Sequence, residues 1–134
     1  IEFFNGKYKS HKIKFGENVN SVGTLVKIGN SKVFLAGDIN YKAGDEKQIA
    51  DKIGKVDLLK VGHHGSNTSS SKNFISNINP KYSIISVGKN NRYGHPKKEV
   101  LDILKKSKIY RTDLDGSIEI KLKNDKYKII TYKP

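Results

Sequence analysis

Four side chains in this 134-residue sequence could do metal or acid–base chemistry together: Asp38, the adjacent pair His63 and His64, and His95. Carboxylate and neutral imidazole are the ligands that hold divalent ions such as zinc, provided that they converge from separate rigid elements. Neighbouring side chains of extended backbone point to opposite sides, so His63 and His64 do not easily chelate one ion together. One of them ligates and the other faces substrate, and the sequence leaves open which does which. Gly62, Gly65 and Ser66 flank the pair and let a bulky anion approach the backbone, while Ser66, Asn67 and Thr68 offer hydrogen-bond donors.

Each position also has a plainer reading. An Asp that follows a strand and a Gly is most often a turn or cap residue, which is how Asp38 reads by itself. A His-His pair between glycines is an uncommon turn choice, and function is favoured there. His95 reads equally well as a substrate contact or as the cap of a following helix. Arg92 shares its loop and is suggestive, whereas His11 alternates with charged residues and reads as solvated.

The elements that must position these residues follow from hydrophobic patterning. Residues 11–15 alternate polar and apolar, and "GENVN" supplies turn residues. Residues 22–36 read as a hairpin about Gly29 and Asn30. The run Val33 to Ala36 is apolar on successive residues, as in a strand covered on both faces, and leads into Gly37 and Asp38. Asp45 and Gln48 suggest a capping box for a helix carrying Ile49 and Ile53 on one face. A short strand, 57–61, then runs into His63 and His64. A helix with Phe74, Ile75 and Ile78 follows, and then a strand over 82–87 whose loop holds Asn90, Asn91, Arg92 and His95. Pro96 suits the first position of a helix presenting Val100, Leu101 and Leu104. Two closing strands, 116–122 and 127–132, pair across Asn124 and Asp125. The alternation predicts an α/β fold with a mixed sheet and flanking helices, and sites of such sheets lie beyond the C-terminal strand ends, where Asp38, His63, His64 and His95 fall.

Composition limits the chemistry. With no Cys, neither disulfides nor thiolate sites are available, so any metal must use His, Asp and Glu. No run approaches the roughly 18 to 20 apolar residues of a membrane helix, and no signal-like segment precedes the fold, so the chain reads as soluble. The absence of Met marks a mature chain or a piece of a longer one. A net charge of +13 fits an anionic partner such as nucleic acid or an anionic membrane surface. Yet the cations are nearly all dispersed Lys, with Arg only at 92 and 111, a pattern equally expected of a solvated lysine surface.

The strings "FLAGD" at 34–38, "DLLKVGHHGSNTSSS" at 57–71 and "IISVGKNNRYGHP" at 84–96 resemble the late motifs of the metallo-β-lactamase-fold hydrolases over about residues 18–122. The closest branch is the competence-type DNA-uptake channel hydrolase domain with its soluble relatives, the phosphorylcholine esterases among them. The resemblance implies an αββα sandwich with one or two Zn²⁺ or Mn²⁺ ions at the edge between two sheets. Asp38 would bridge the metals, His64 would ligate one of them, and His63 would be the catalytic residue facing substrate, these two roles exchanging if the pair is reversed. Ser66, Thr68, Arg92 and His95 would contact a phosphodiester substrate, with DNA favoured by the basic surface. Hydrolysis would use a metal-bound hydroxide, generated because the ion lowers the pKa of water towards about 7.

The family's first-half cluster, His-x-(His/Asp)-x-Asp-His, occurs nowhere in the sequence. The chain therefore reads as one partial domain, the C-terminal half, that needs its missing N-terminal half or another chain to complete the site. Its localisation would be an extracellular or secreted part of a bacterial protein. Two rival readings are a non-catalytic basic module that binds nucleic acid or an anionic surface, and an inactive half-domain.

Overall fold

The computed structural model describes residues 1–5, 21–41 and 44–133; the expected strand over 11–15, the turn after it and His11 lie outside them. Six strands form one mixed sheet in the order β1 (Glu2–Asn5), β2 (Val22–Ile28), β3 (Ser31–Leu35), β4 (Leu58–Lys60), β5 (Tyr82–Ile85), β6 (Lys108–Arg111). The first three pair antiparallel and the last three join β3 in parallel. Helices α1 (Asp45–Ile53), α2 (Lys72–Ile78) and α3 (Lys98–Ile103) make the parallel crossovers, as parallel pairing requires. After β6 come a single helical turn, α4 (Thr112–Asp115), and a separate hairpin of β7 (Ser117–Lys123) and β8 (Lys126–Tyr132). The α/β mixed sheet with flanking helices is thus as the patterning predicts. The short β1, β6 and α4 add to it.

Side chains of a strand alternate between faces, and the two faces of this sheet are treated differently. Leu25, Phe34, Leu59 and Ile85 point to the helical side. There they join Ile49, Ile53, Phe74, Ile75, Ile78, Val100 and Leu104 in one buried cluster. Each large apolar side chain so buried contributes about 1.5–3 kcal/mol. The other face, with Val26, Ile28, Val33, Leu35, Leu58 and Ile84, meets Ile120, Leu122 and Tyr127 of the hairpin across an open cleft of about 310 Å³. Leu35 remains 40% exposed, which corrects the expectation that β3 is covered on both faces.

Two helix starts also differ from the pattern. Asp45 is the first residue of α1 and not its cap; Gly44 caps it in a left-handed conformation without a side-chain bond. Asp45 and Glu46 are buried, and the Glu46 carboxylate accepts from the backbone N–H groups of Ser70 and Ser71 (2.9 Å for Ser71). Sequence distance hid this partner, since a capping box is a local device and this bond spans the fold. The cap residue of α3 is Lys97, so neither Pro96 nor His95 opens or caps the helix; the His95–Pro96 peptide bond is cis. By contrast α2 starts as a cap should, with the Ser71 hydroxyl accepting from Phe74 N–H at 3.3 Å. Among the described residues no helix is long and apolar enough to cross a membrane.

Candidate functional site

Three segments leave the C-terminal ends of adjacent parallel strands and are stitched together by hydrogen bonds. Residues 36–41 follow β3, residues 61–71 follow β4, and residues 86–97 follow β5. His63 N–H donates to Gly37 O at 2.9 Å, Tyr41 N–H to Thr68 O at 3.1 Å and the Ser69 hydroxyl to Ile39 O at 2.6 Å. Lys97 N–H donates to Gly65 O at 2.9 Å and closes the third segment on the second. Gly65 permits this approach: at φ +81°, a Cβ there would lie 2.5 Å from Pro96 Cβ.

The His63–His64 turn departs from the expected extended loop. Both residues are left-handed, at φ 45°, ψ 46° and φ 55°, ψ 21°, and the backbone doubles back so that Ser66 N–H reaches His63 O at 2.9 Å. Their rings lie edge to face with centroids 6.3 Å apart. His64 is exposed, and its Nδ1 lies 2.7 Å from Ser86 O. A carbonyl can only accept, so in the neutral ring the proton sits on Nδ1 and the lone pair on Nε2, as in an imidazole presented to a metal. His63 is half-buried, with Nδ1 3.3 Å from the Thr68 hydroxyl, and that hydroxyl is 3.0 Å from the hydroxyl of Ser66. Ser66 itself is buried, so it reaches the site through Thr68 and not from the surface.

Asp38 follows Gly37 in a turn, half-buried, and its backbone N–H donates to the Ser21 hydroxyl at 2.7 Å. Its charge acts on Lys60: burial pulls that ammonium below the ordinary lysine value, and the Asp38 charge opposes the pull. His95 lies with its ring 5.9 Å from that of His63. Burial first, then the charges of Lys97, His63 and His64, hold its pKa below the usual imidazole range, which favours the neutral ring. Arg92 is exposed, and its guanidinium bonds Tyr93 OH at 2.8 Å. The structure thus gathers His63, His64, His95 and Thr68 around one loop cluster, with Asp38 joined to it through Gly37. Sequence reasoning missed Ser86, whose contribution is a main-chain carbonyl, Lys60, which reads as a strand residue, and Tyr93, whose neighbour Arg92 was the available signal.

The donor chemistry suits a divalent ion in part. His64 has the outer hydrogen bond that orients a ligating imidazole, and Asp38 is a carboxylate at a strand end. Among the described residues, however, no group of three or more His, Asp or Glu side chains could hold a metal ion. Asp38 and His64 fit as contributors to a ligand set and not as a set by themselves.

No family model matches the chain. Over 110 residues, 81% of its length, it is 39% identical to ComE operon protein 3 of Bacillus subtilis. Over 115 residues, 84% of its length, it is 36% identical to Recombination protein 2 of Haemophilus influenzae. Over 117 residues, again 84%, it is 33% identical to Competence protein ComA of Neisseria gonorrhoeae. These stretches amount to 14%, 14% and 17% of the relatives' own lengths, so the chain is similar to a small segment of three much longer proteins, one of them a competence protein by name.

Proposed function

We propose that this chain is the second half of a metallo-β-lactamase-like αββα domain, and that the completed domain is a metal-dependent phosphodiesterase that cleaves DNA in competence. The observation that carries the reading is His64: left-handed, exposed, and with Nδ1 held by Ser86 O so that Nε2 is presented outward. The likeness to segments of ComE operon protein 3 and Competence protein ComA supports the biological setting. The apolar, half-covered second face of the sheet supports the half-domain reading, because a second sheet laid there would bury Leu35 and its neighbours.

In this reading Asp38 and His64 hold Zn²⁺ or Mn²⁺, and the remaining ligands come from the missing N-terminal half or from another chain. The ion supplies Lewis-acid polarisation of a phosphoryl oxygen and lowers the pKa of water towards about 7. His63, fixed by the Thr68 hydroxyl that Ser66 in turn steadies, is the catalytic residue and donates to the developing oxyanion. The neutral His95 hydrogen-bonds the leaving-group oxygen, and Thr68 and Arg92 contact the phosphodiester.

The test is a Zn²⁺ titration of the purified chain against a chromophoric chelator, with Asp38→Ala, His64→Ala and, as control, His11→Ala. The expected result is the weak affinity of a partial, two-ligand site, lowered at least about tenfold in the first two variants and unchanged in the third, the scale on which loss of site groups acts. Equal affinities in all four proteins would overturn the assignment.

A further inference from the structure

The loop from Gly88 to Lys97 is fixed from within and yet displays an aromatic ring to solvent. The Asn91 side chain holds it closed: its amide donates to Gly88 O at 3.2 Å and His95 O at 2.7 Å, and its Oδ1 accepts from His95 N–H at 2.9 Å. Lys97 Nζ donates to Tyr93 O at 2.8 Å. On this frame Tyr93 stands 61% exposed and takes no part in the buried cluster. Its ring is stacked on His95, 25° from parallel with centroids 5.9 Å apart, and His95 meets His63 edge to face at 5.9 Å. The Arg92 guanidinium lies 5.0 Å from the Tyr93 ring centre and bonds its hydroxyl. A column of rings, His63, His95 and Tyr93, thus leads from the candidate site to solvent.

His95 and Arg92 orient the Tyr93 ring, which the buried core neither covers nor needs, and an exposed ring so oriented suits recognition. An aromatic ring with an arginine guanidinium over it, in a loop that also carries Lys89 and Lys97, matches a planar base whose flanking phosphates meet the cations. Bases inside a duplex are already stacked and their faces covered, so only an unpaired base can use such a surface. We propose that Tyr93, with Arg92, is a stacking platform for an unpaired base of single-stranded nucleic acid beside the candidate site. The inference rests on the phosphodiesterase reading and specifies the form of its substrate.

Binding is measured apart from hydrolysis, by fluorescence anisotropy at low salt in EDTA. The probes are a labelled oligothymidylate, a duplex of the same length and an abasic strand of the same length. Tyr93→Ala is expected to weaken binding of the oligothymidylate about tenfold, the usual worth of a base–aromatic stack, and to leave the duplex and abasic strand unchanged. Tyr93→Phe keeps the ring and should stay within about threefold of wild type. The platform is overturned if oligothymidylate binding is unmeasurable or insensitive to Tyr93→Ala, or if the abasic strand or the duplex suffers the same loss. Because no divalent ion is present, such a failure leaves the metal reading standing or falling on the Zn²⁺ titration alone.

Discussion

Among the described residues, two pairs of adjacent non-glycine residues have left-handed backbone, and they differ in what requires it. Asn124 and Asp125, at φ 49° and 58°, form the two-residue turn between β7 and β8, where strand twist favours that conformation and short polar side chains tolerate it. Asp125 adds an anchor, accepting from Asn30 N–H at 3.1 Å, the Asn30 side-chain amide at 3.0 Å and the Ser31 hydroxyl at 3.3 Å. His63 and His64 join no hairpin. They leave a parallel strand, and their conformation is imposed by bonds with Gly37 O, Ser66 N–H and Ser86 O. A non-glycine residue in this region costs about 1–3 kcal/mol and persists only where the surroundings over-determine it. One pair serves chain reversal, and the other orients two imidazoles. The backbone outlier therefore marks the same residues that the chemistry singles out.

The largest effect expected from disturbing the histidine turn is at Gly65. Gly65→Ala puts a methyl 2.5 Å from Pro96 Cβ and 3.0 Å from Pro96 Cα at a φ of +81°, and the bond from Lys97 N–H to Gly65 O prevents the loops from parting. Overpacking and left-handed strain together predict a loss of about 3 kcal/mol or more in urea unfolding. A loss under about 1 kcal/mol would mean that the turn is pliable and that the contrast with Asn124–Asp125 is one of degree only.

A smaller loss is expected where the far end of the same loop is tied to α1. Glu46→Gln keeps one acceptor for the N–H groups of Ser70 and Ser71 but turns an amide donor on the other, at an expected cost of about 2 kcal/mol near neutral pH. Burial, the chief cause, raises the Glu46 pKa against the lowering effect of its bonds to Ser71 and Ser70. A carboxyl with a raised folded pKa contributes stability that is full below its unfolded value and is lost as pH rises through the folded one. The advantage of wild type over Glu46→Gln should therefore narrow as pH climbs through that window. Urea midpoints whose difference is flat in pH, or widens, would show that Glu46 is ionised without penalty.

The contrast also marks where sequence reading succeeded and stopped. The turn at Asn124 and Asp125 was legible because hairpin chemistry is local: turn residues at the right offset between two alternating runs. Asp38, His63, His64 and His95 were placed at strand ends because buried strands announce themselves as short apolar runs before Gly. Illegible were the arrangements made by residues distant in sequence. Ser86 holds His64 through a carbonyl that any residue type would supply. Glu46 stands in the first turn of α1, and its partners at 70 and 71 lie beyond any local motif. The single-sided burial of β3 was hidden because Leu35 is apolar whether or not anything covers it.

The smallest predicted effect separates the two left-handed pairs directly, by offering glycine to each. At His63, glycine removes strain of about 1–3 kcal/mol but gives back part of it through the freer unfolded chain and the lost contact with Thr68, so a net gain of about 1 kcal/mol is expected. At Asn124 the turn already suits its residue, and Asn124→Gly should change stability by no more than about 0.5 kcal/mol. Thermal and urea unfolding of both variants give the comparison. If His63→Gly destabilises as much as an ordinary loop substitution, the His63 backbone is relaxed, and the link between backbone strain and the candidate site fails at that residue. If it stabilises while Asn124→Gly does not, the turn holds His63 in place at the expense of folding free energy, which is the expected signature of a residue kept for chemistry and not for the fold.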